Sequence, residues 1–161
     1  MNKPTNQLFL LDAMALIYRA HFAFSKNPIV NSKGLNTSAI YGFLNTLLEL
    51  LRKEKPTHLA IAFDTKAPTF RKEIFNDYKA NRERQPEDIQ VAIPIIKKLI
   101  KLMNIKVLEK DGYEADDVIG TIATQLSSKH NINIFMMTPD KDFAQLVSKN
   151  VFLYKPAFMG R

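Results

Sequence analysis

The chain has 161 residues and 46% hydrophobic residues, which is the composition of a globular domain with a substantial core. It has no cysteine, which excludes disulfide bonds and thiolate metal sites, and no apolar run approaches the ~20 residues that a membrane span needs. The net charge of +7 favours a polyanionic partner. We expect one domain over residues 1–161, monomeric, cytoplasmic and not membrane-bound.

Short apolar runs recur along the chain, each with the length of a strand. None of them alternates apolar with polar residues, so each is expected to be buried on both faces of a sheet. The five predicted strands are residues 8–11, 57–63, 105–108, 132–137 and 151–154.

Helical patterns fill the intervals between these runs. Asn36 or Thr37 is expected to cap the second helix, and Pro86 to take the first position of the third. Pro94 should kink this third helix or divide it. The alternation predicts an α/β fold with a mainly parallel sheet of about five strands and helices on both faces. The predicted helices are residues 13–21, 37–53, 86–103, 118–128 and 143–147.

Acidic residues follow four of the predicted strands. Because the carboxyl ends of parallel strands meet at one edge of a sheet, where α/β proteins bind ligands, these acids should converge. One acid at a strand end is often only a helix cap, but this many favour a metal site. Carboxylates without cysteine suit Mg²⁺ or Mn²⁺, and two ions ~3.5–4 Å apart would support phosphodiester hydrolysis. The candidate ligands are Asp12, Asp64, Glu114, Asp116, Asp117, Asp140 and Asp142.

Three of these acids, Glu114, Asp116 and Asp117, occupy four positions just before an amphipathic run. They are expected at a loop-to-helix junction, in the first turn of the helix, where acids favour the helix dipole. Three carboxylates so close together also repel one another, and a cation would relieve that repulsion.

A basic segment at residues 66–86 interleaves cations with aromatic residues. If it is helical, Arg71, Phe75, Tyr78 and Arg82 share one face. Basic and aromatic side chains together suit phosphate contact and base stacking on a single strand, although a solvated charged helix would have the same composition. The candidate DNA contacts here are Arg71, Lys72, Tyr78, Lys79 and Arg82.

Other catalytic patterns are absent from the sequence. It contains no glycine-rich phosphate loop, no dinucleotide-binding fingerprint and no nucleophile elbow. The histidines His21, His58 and His130 are scattered, so they do not predict a catalytic or metal cluster.

The motifs resemble the 5′→3′ exonuclease domain of bacterial DNA polymerase I, a member of the flap endonuclease and PIN-like group. The resemblance implies a resolvase-like fold and a metal-dependent nuclease that removes 5′ flaps and RNA primers in DNA replication and repair. It covers nearly the whole chain in order, through Leu10-Leu11-Asp12, Tyr18-Arg19, Tyr41-Gly42-Phe43, Ala62-Phe63-Asp64, Phe70-Arg71, Tyr78-Lys79-Ala80-Asn81-Arg82, the block from Glu114 to Gly120, Asp140-Lys141-Asp142 and Gln145-Leu146-Val147.

The resemblance also implies roles for single residues. Lys79 and Arg82 match the basic residues of a helical arch that holds the 5′ single strand, and Arg19 matches a phosphate-contacting arginine. Asp140 and Asp142 would lie toward a second metal ion. The first ion would be bound by Asp12, Asp64, Glu114, Asp116 and Asp117.

The sequence departs from the family pattern in three ways. Pro139 and Ala13 stand where glycine is common. The family continues into a helix-hairpin-helix-like element that supplies two more aspartates, and some members continue into a polymerase domain. We therefore expect an N-terminal fragment, weakly active alone, from a bacterial nucleoid-associated enzyme that binds nicked or 5′-flap DNA and possible RNA primers. A stand-alone flap-type exonuclease, a PIN-domain ribonuclease and a non-enzymatic Mg²⁺-binding domain stay open.

Overall fold

A five-stranded sheet forms the centre of the molecule, and all its strand pairs are parallel. The computed structural model describes residues 6–81, 84–129 and 131–155. The strand order is β3-β2-β1-β4-β5, which confirms the predicted parallel α/β fold. The strands are β1 (Asn6–Asp12), β2 (His58–Ala62), β3 (Lys106–Leu108), β4 (Ile132–Met137) and β5 (Val151–Tyr154).

Helices cover both faces of the sheet. They are α1 (Ala13–Ala23), α2 (Ser38–Glu54), α3 (Phe70–Ile74), α4 (Glu87–Leu102), α5 (Ala115–Ser127) and a 3₁₀ helix (Lys141–Leu146). Apolar residues of α1, α2 and α4 pack on one face, against β1 residues such as Phe9 and Leu11. Those of α5 and the 3₁₀ helix pack on the other, against Leu8 and Leu10. Successive β1 residues therefore serve opposite cores, which explains why its apolar run does not alternate.

The predicted bounds of the third helix, 86–103, are one residue too long at each end of α4. Pro86 is the N-cap and not the first helical residue, and Met103 is the C-cap with 37% of its surface exposed. Pro94 does not divide the helix, which runs without interruption from Glu87 to Leu102. Pro94 has no N–H to donate to the Gln90 carbonyl, four residues earlier in the helix. Both residues are exposed, so water can bind that carbonyl instead.

The helix predictions before and after these positions also differ in detail. Thr37 stands at the N-cap of α2 but makes no side-chain cap bond; the Asn36 side chain instead accepts the Ser38 N–H at 3.0 Å. The predicted short helix at residues 143–147 is a 3₁₀ helix that begins at Lys141. Within the described ranges, no helix is both long and apolar enough to cross a bilayer.

Gly42 allows α1 and α2 to approach closely. A β-carbon at this position would lie 2.7 Å from the Ala20 β-carbon and 3.3 Å from its α-carbon. Neither atom can move without its helix, so Gly42→Ala should separate the helices and lower the free energy of unfolding by about 1–3 kcal/mol. The exposed Asn45 on the same helix gives a control, Asn45→Ala, that should stay near wild type. Urea unfolding measures both, and an unchanged Gly42→Ala protein would contradict the close approach.

Candidate active site

The carboxyl edge of the sheet opens into a cleft of about 1000 Å³. The strands β1, β2 and β4 end at this edge, and the first turn of α5 reaches it from the loop after β3. The predicted convergence of acids at the edge is therefore found for five of the seven candidates. The five that line the cleft are Asp12, Asp64, Glu114, Asp116 and Asp140.

Asp12 is the most deeply placed of these carboxylates, with 6% of its surface exposed. One carboxylate oxygen caps α1 by accepting the Ala15 N–H at 3.1 Å, and the other accepts the Thr138 hydroxyl at 3.1 Å. Burial raises the pKa of Asp12 above 3.8, and these two hydrogen bonds oppose the shift. Thr138 thus fixes Asp12 from β4, a role that sequence reasoning missed because the residues are 126 positions apart.

Asp64 and Asp140 are also held by backbone contacts at their strand ends. The Ala115 N–H donates to Asp64 Oδ1 at 2.7 Å, which ties the end of β2 to the start of α5. Asp140 caps the 3₁₀ helix by accepting the Asp142 N–H at 2.9 Å, and its own N–H donates to the Thr138 hydroxyl at 3.2 Å. One oxygen of each carboxylate therefore accepts a hydrogen bond at the start of a helix, as expected of acids that cap helices.

Asp116 shows how strongly the acids of the cleft repel one another. Its side chain reaches solvent, yet partial burial and four neighbouring carboxylates raise the pKa of Asp116 from 3.8 to about 6. A raised pKa means that the charged form is disfavoured as the site stands, and a bound cation would reverse that. The four carboxylates belong to Asp12, Asp64, Glu114 and Asp140.

Asp117 and Asp142 do not line this cleft. Both lie on a second cavity of about 630 Å³, and Glu114 and Asp116 form the wall between the two. The Arg71 guanidinium grips Asp117 with two hydrogen bonds of 2.6 and 2.7 Å and holds the pKa of that carboxyl below 3.8. Asp117 also accepts the Glu114 N–H at 2.9 Å, so it fixes the start of α5.

The basic segment does not form the predicted helical face. The helix α3 ends at Ile74, and Phe75 is extended and 60% exposed, so it cannot share a helical face with Arg71 and Tyr78. A sequence that lacks a buried stripe gains little from continuing a helix, and none of the five α3 residues is buried. Arg82 and His130 lie outside the described residues.

Cationic side chains of this segment instead form ion pairs with acids at the start of α5. Lys79 Nζ contacts Glu114 Oε1 at 2.6 Å, and the Tyr78 hydroxyl donates to Glu114 Oε2 at 3.2 Å. Lys72 is exposed, and Arg19 lies partly buried on α1, beside the cleft residue Tyr18. Lys97 of α4 also lines the cleft, where it pairs with Glu109 and lies over the Phe63 ring, and no sequence motif had pointed to it.

The described part of the chain contains no group of three or more acidic or histidine side chains arranged to hold a metal ion as they stand. Both oxygens of Asp12 and both of Glu114 have polar partners within the protein. A cation at this edge would share the carboxylate oxygens with these partners or displace them.

The chain is an α/β domain with an acidic cleft at the carboxyl edge of an open parallel sheet, the edge where such folds commonly bind ligands. The chain belongs to the family described as 5′–3′ exonuclease, N-terminal resolvase-like domain, whose model matches residues 7–160. A 5′–3′ exonuclease of Aquifex aeolicus is 45% identical over 149 residues, which are 92% of this chain and 50% of that protein.

Two further proteins are similar to this chain, one in sequence and one in fold. A DNA polymerase I of Caldicellulosiruptor bescii is 40% identical over 145 residues, 90% of this chain and 17% of the polymerase. A crystal structure of a bacteriophage T5 flap endonuclease with DNA and metal ions has the same fold, with a TM-score of 0.67 at 18% identity, over 93% of this chain and 55% of that one. The chain thus spans half or less of the length of the Aquifex exonuclease and the Caldicellulosiruptor polymerase.

Proposed function

We propose that this chain carries the nuclease centre of a 5′→3′ exonuclease that hydrolyses phosphodiester bonds of DNA with divalent cations. The observation that supports this best is the cleft, which five carboxylates from four parts of the chain line. Partial burial and the charges of the other four raise the pKa of Asp116 to about 6. Such crowding destabilises a protein unless a cation compensates it. Relatives named 5′–3′ exonuclease and DNA polymerase I support DNA as the substrate.

The donor atoms of the cleft fit Mg²⁺ or Mn²⁺, since they are carboxylate oxygens. Asp12, Asp64, Glu114 and Asp116 would hold the first ion, and Asp140 with Asp142 would lie toward a second. Such ions activate water and stabilise the leaving oxygen of a phosphodiester. A solved structure with the same fold contains metal ions and DNA, which supports a metal-dependent nuclease. Asp117, held by Arg71 outside the cleft, would position Glu114.

The remaining parts of the proposal concern the substrate and its surroundings. Tyr78 and Lys79 lie at Glu114, where they could contact a strand whose phosphate enters the cleft. Arg19, Arg71, Lys72 and Arg82 would add phosphate contacts. The preferred DNA would carry a 5′ single-stranded flap or a nick, with an RNA primer as a second substrate. We place the protein in the bacterial cytoplasm, as a monomer with one domain over residues 1–161.

A labelled 5′-flap duplex and a single-stranded RNA of equal length, each with Mg²⁺, Mn²⁺ or EDTA, test this function. Cleavage of the flap near its junction in either metal, and none in EDTA, is expected. Preference for the RNA would favour the PIN-domain ribonuclease, which the basic segment beside the cleft argues against. Cation binding without cleavage of either substrate would favour a non-enzymatic Mg²⁺-binding domain.

Metal binding should also stabilise the fold. Because a ligand that binds only the folded state stabilises it by mass action, millimolar Mn²⁺ or Mg²⁺ should raise the melting temperature. The rise should be smaller in Asp116→Asn, which loses one carboxylate of the cleft. Differential scanning fluorimetry in EDTA and in each metal gives the two shifts. Equal shifts in the wild type and the variant would place the cation elsewhere.

A further inference from the structure

Both carboxylate oxygens of Glu114 are bound by the basic segment. Lys79 Nζ contacts Oε1 at 2.6 Å, and the Tyr78 hydroxyl donates to Oε2 at 3.2 Å. Glu114 itself is a buried residue, so the ion pair is shielded from water more than a surface pair would be. Lys79 and Tyr78 therefore compete with a cation for Glu114, since each occupies a lone pair of the carboxylate and Lys79 also offsets its charge.

Besides the contacts of Arg71, Tyr78 and Lys79, this part of the chain is held at Phe70, whose N–H donates to the Gly112 carbonyl at 3.0 Å and whose ring lies 5.6 Å from that of Tyr113. The short helix α3 buries none of its residues, and Ile74 and Phe75 are 80% and 60% exposed. Lys79 adopts a left-handed backbone with φ of 59°, a conformation that is unfavourable for residues with a β-carbon. The ion pair of Lys79 with Glu114 can offset the cost of this backbone conformation.

Arg71 anchors the beginning of the same segment. Its two hydrogen bonds to Asp117 lie on the wall of the second cavity. Arg71 Nη1 also lies 4.0 Å from Glu114 Oε2, a longer contact than the one made by Lys79. A cation at Glu114 would compete with this longer contact but not directly with the two hydrogen bonds to Asp117. The contacts of Tyr78 and Lys79 can therefore break while the segment stays attached at Arg71.

We propose that residues 70–81 form a latch, in which Lys79 and Tyr78 compete with a divalent cation for Glu114. The proposal rests on the proposed function, because the cation is the one that the cleft would bind. Cation binding releases Lys79 and Tyr78 and makes them available to a DNA phosphate. Linkage is reciprocal, so a strand that takes Lys79 also strengthens cation binding.

The test measures cation affinity without DNA, by calorimetric titration with Mn²⁺. Lys79→Met keeps the aliphatic stem and removes the competitor, so it should bind Mn²⁺ about fivefold to tenfold tighter, the scale of a shielded ion pair. Tyr78→Phe should shift the affinity in the same direction by less. The matched control is Lys66→Met, which removes the same charge from the same cleft; within the described residues Lys66 makes no ion pair.

Proteolysis supplies an independent readout. Trypsin cleavage after Lys79 should accelerate when Mn²⁺ is added to the wild type and should not accelerate in Asp116→Asn. Equal affinities of Lys79→Met and Lys66→Met, or weaker binding by Lys79→Met, would overturn the latch while leaving the cation site intact. If no variant binds Mn²⁺, both the latch and the proposed function are wrong.

Discussion

Asp116→Asn is expected to lower 5′-flap cleavage by about 100- to 1,000-fold, the scale of losing one group that stabilises charge in a catalytic site. Beyond the effect of burial, the charges of the other four acids of the cleft all raise the pKa of Asp116, so its carboxylate lies close to all of them. Its amide keeps the shape of the side chain but cannot contribute a negative charge to a cation. Single-turnover cleavage in Mg²⁺ gives the comparison.

The same substitution should have the opposite effect on stability when metal is absent. The pKa of Asp116 is raised from 3.8 to about 6 in the folded protein, so folding favours its protonated form. Stability therefore falls as pH rises from about 4 to beyond 6, because the folded state must then carry an unfavourable charge. Asp116→Asn removes that penalty, so in EDTA at pH 7.5 its melting temperature should exceed that of the wild type. At pH 4 the two should be closer.

Asp111→Asn is the matched control for both measurements. Asp111 lines the same cleft and is exposed, but it is not among the acids that raise the pKa of Asp116. Its loss should leave cleavage within about threefold of wild type, as for a surface substitution. Full cleavage by Asp116→Asn would show that the cleft is not the catalytic centre.

Arg71 and Asp117 should show strong coupling in a double-mutant cycle. Arg71→Ala, Asp117→Ala and the double variant remove two charge-assisted hydrogen bonds between partly buried groups, and we expect a coupling free energy of about 1–3 kcal/mol. Asp117→Ala should be the more destabilising single change, since it also removes the acceptor for the Glu114 N–H. Urea unfolding of the four proteins measures the cycle.

The pH dependence of this pair distinguishes it from the acids of the cleft. Arg71 holds the pKa of Asp117 below 3.8, so the contribution of the pair to the free energy of unfolding is present at neutral pH and is lost as pH falls below that value.

Mn²⁺ affinity should drop in Asp116→Asn but change little in Asp117→Ala, because Asp117 lies outside the cleft. An equal drop in both variants would make Asp117 a metal ligand and not a positioning residue.

Local sequence patterns determined the elements of the sheet. Each of the five apolar runs became a strand, because a run of the right length without alternation is compatible with burial on both faces. The acids after β1, β2 and β4 reached one edge for the same reason, since parallel strands end together. The loop-to-helix junction at these acids also followed from the amphipathic run behind them, although Glu114 is the N-cap of α5 and only Asp116 and Asp117 are in its first turn.

Contacts between residues distant in sequence were decided only by the tertiary structure. The strand order has no local signal, and neither has the contact of Thr138 with Asp12 across 126 residues. Asp117 and Glu114 are three residues apart, yet their closest cationic partners differ. Arg71, 46 residues before Asp117, binds Asp117 most closely, and Lys79, 35 residues before Glu114, binds Glu114 most closely. Helical spacing predicts a shared face only where a helix buries that face. The α3 part of the basic segment buries no residue, and its position depends on its contacts with Glu114 and Asp117.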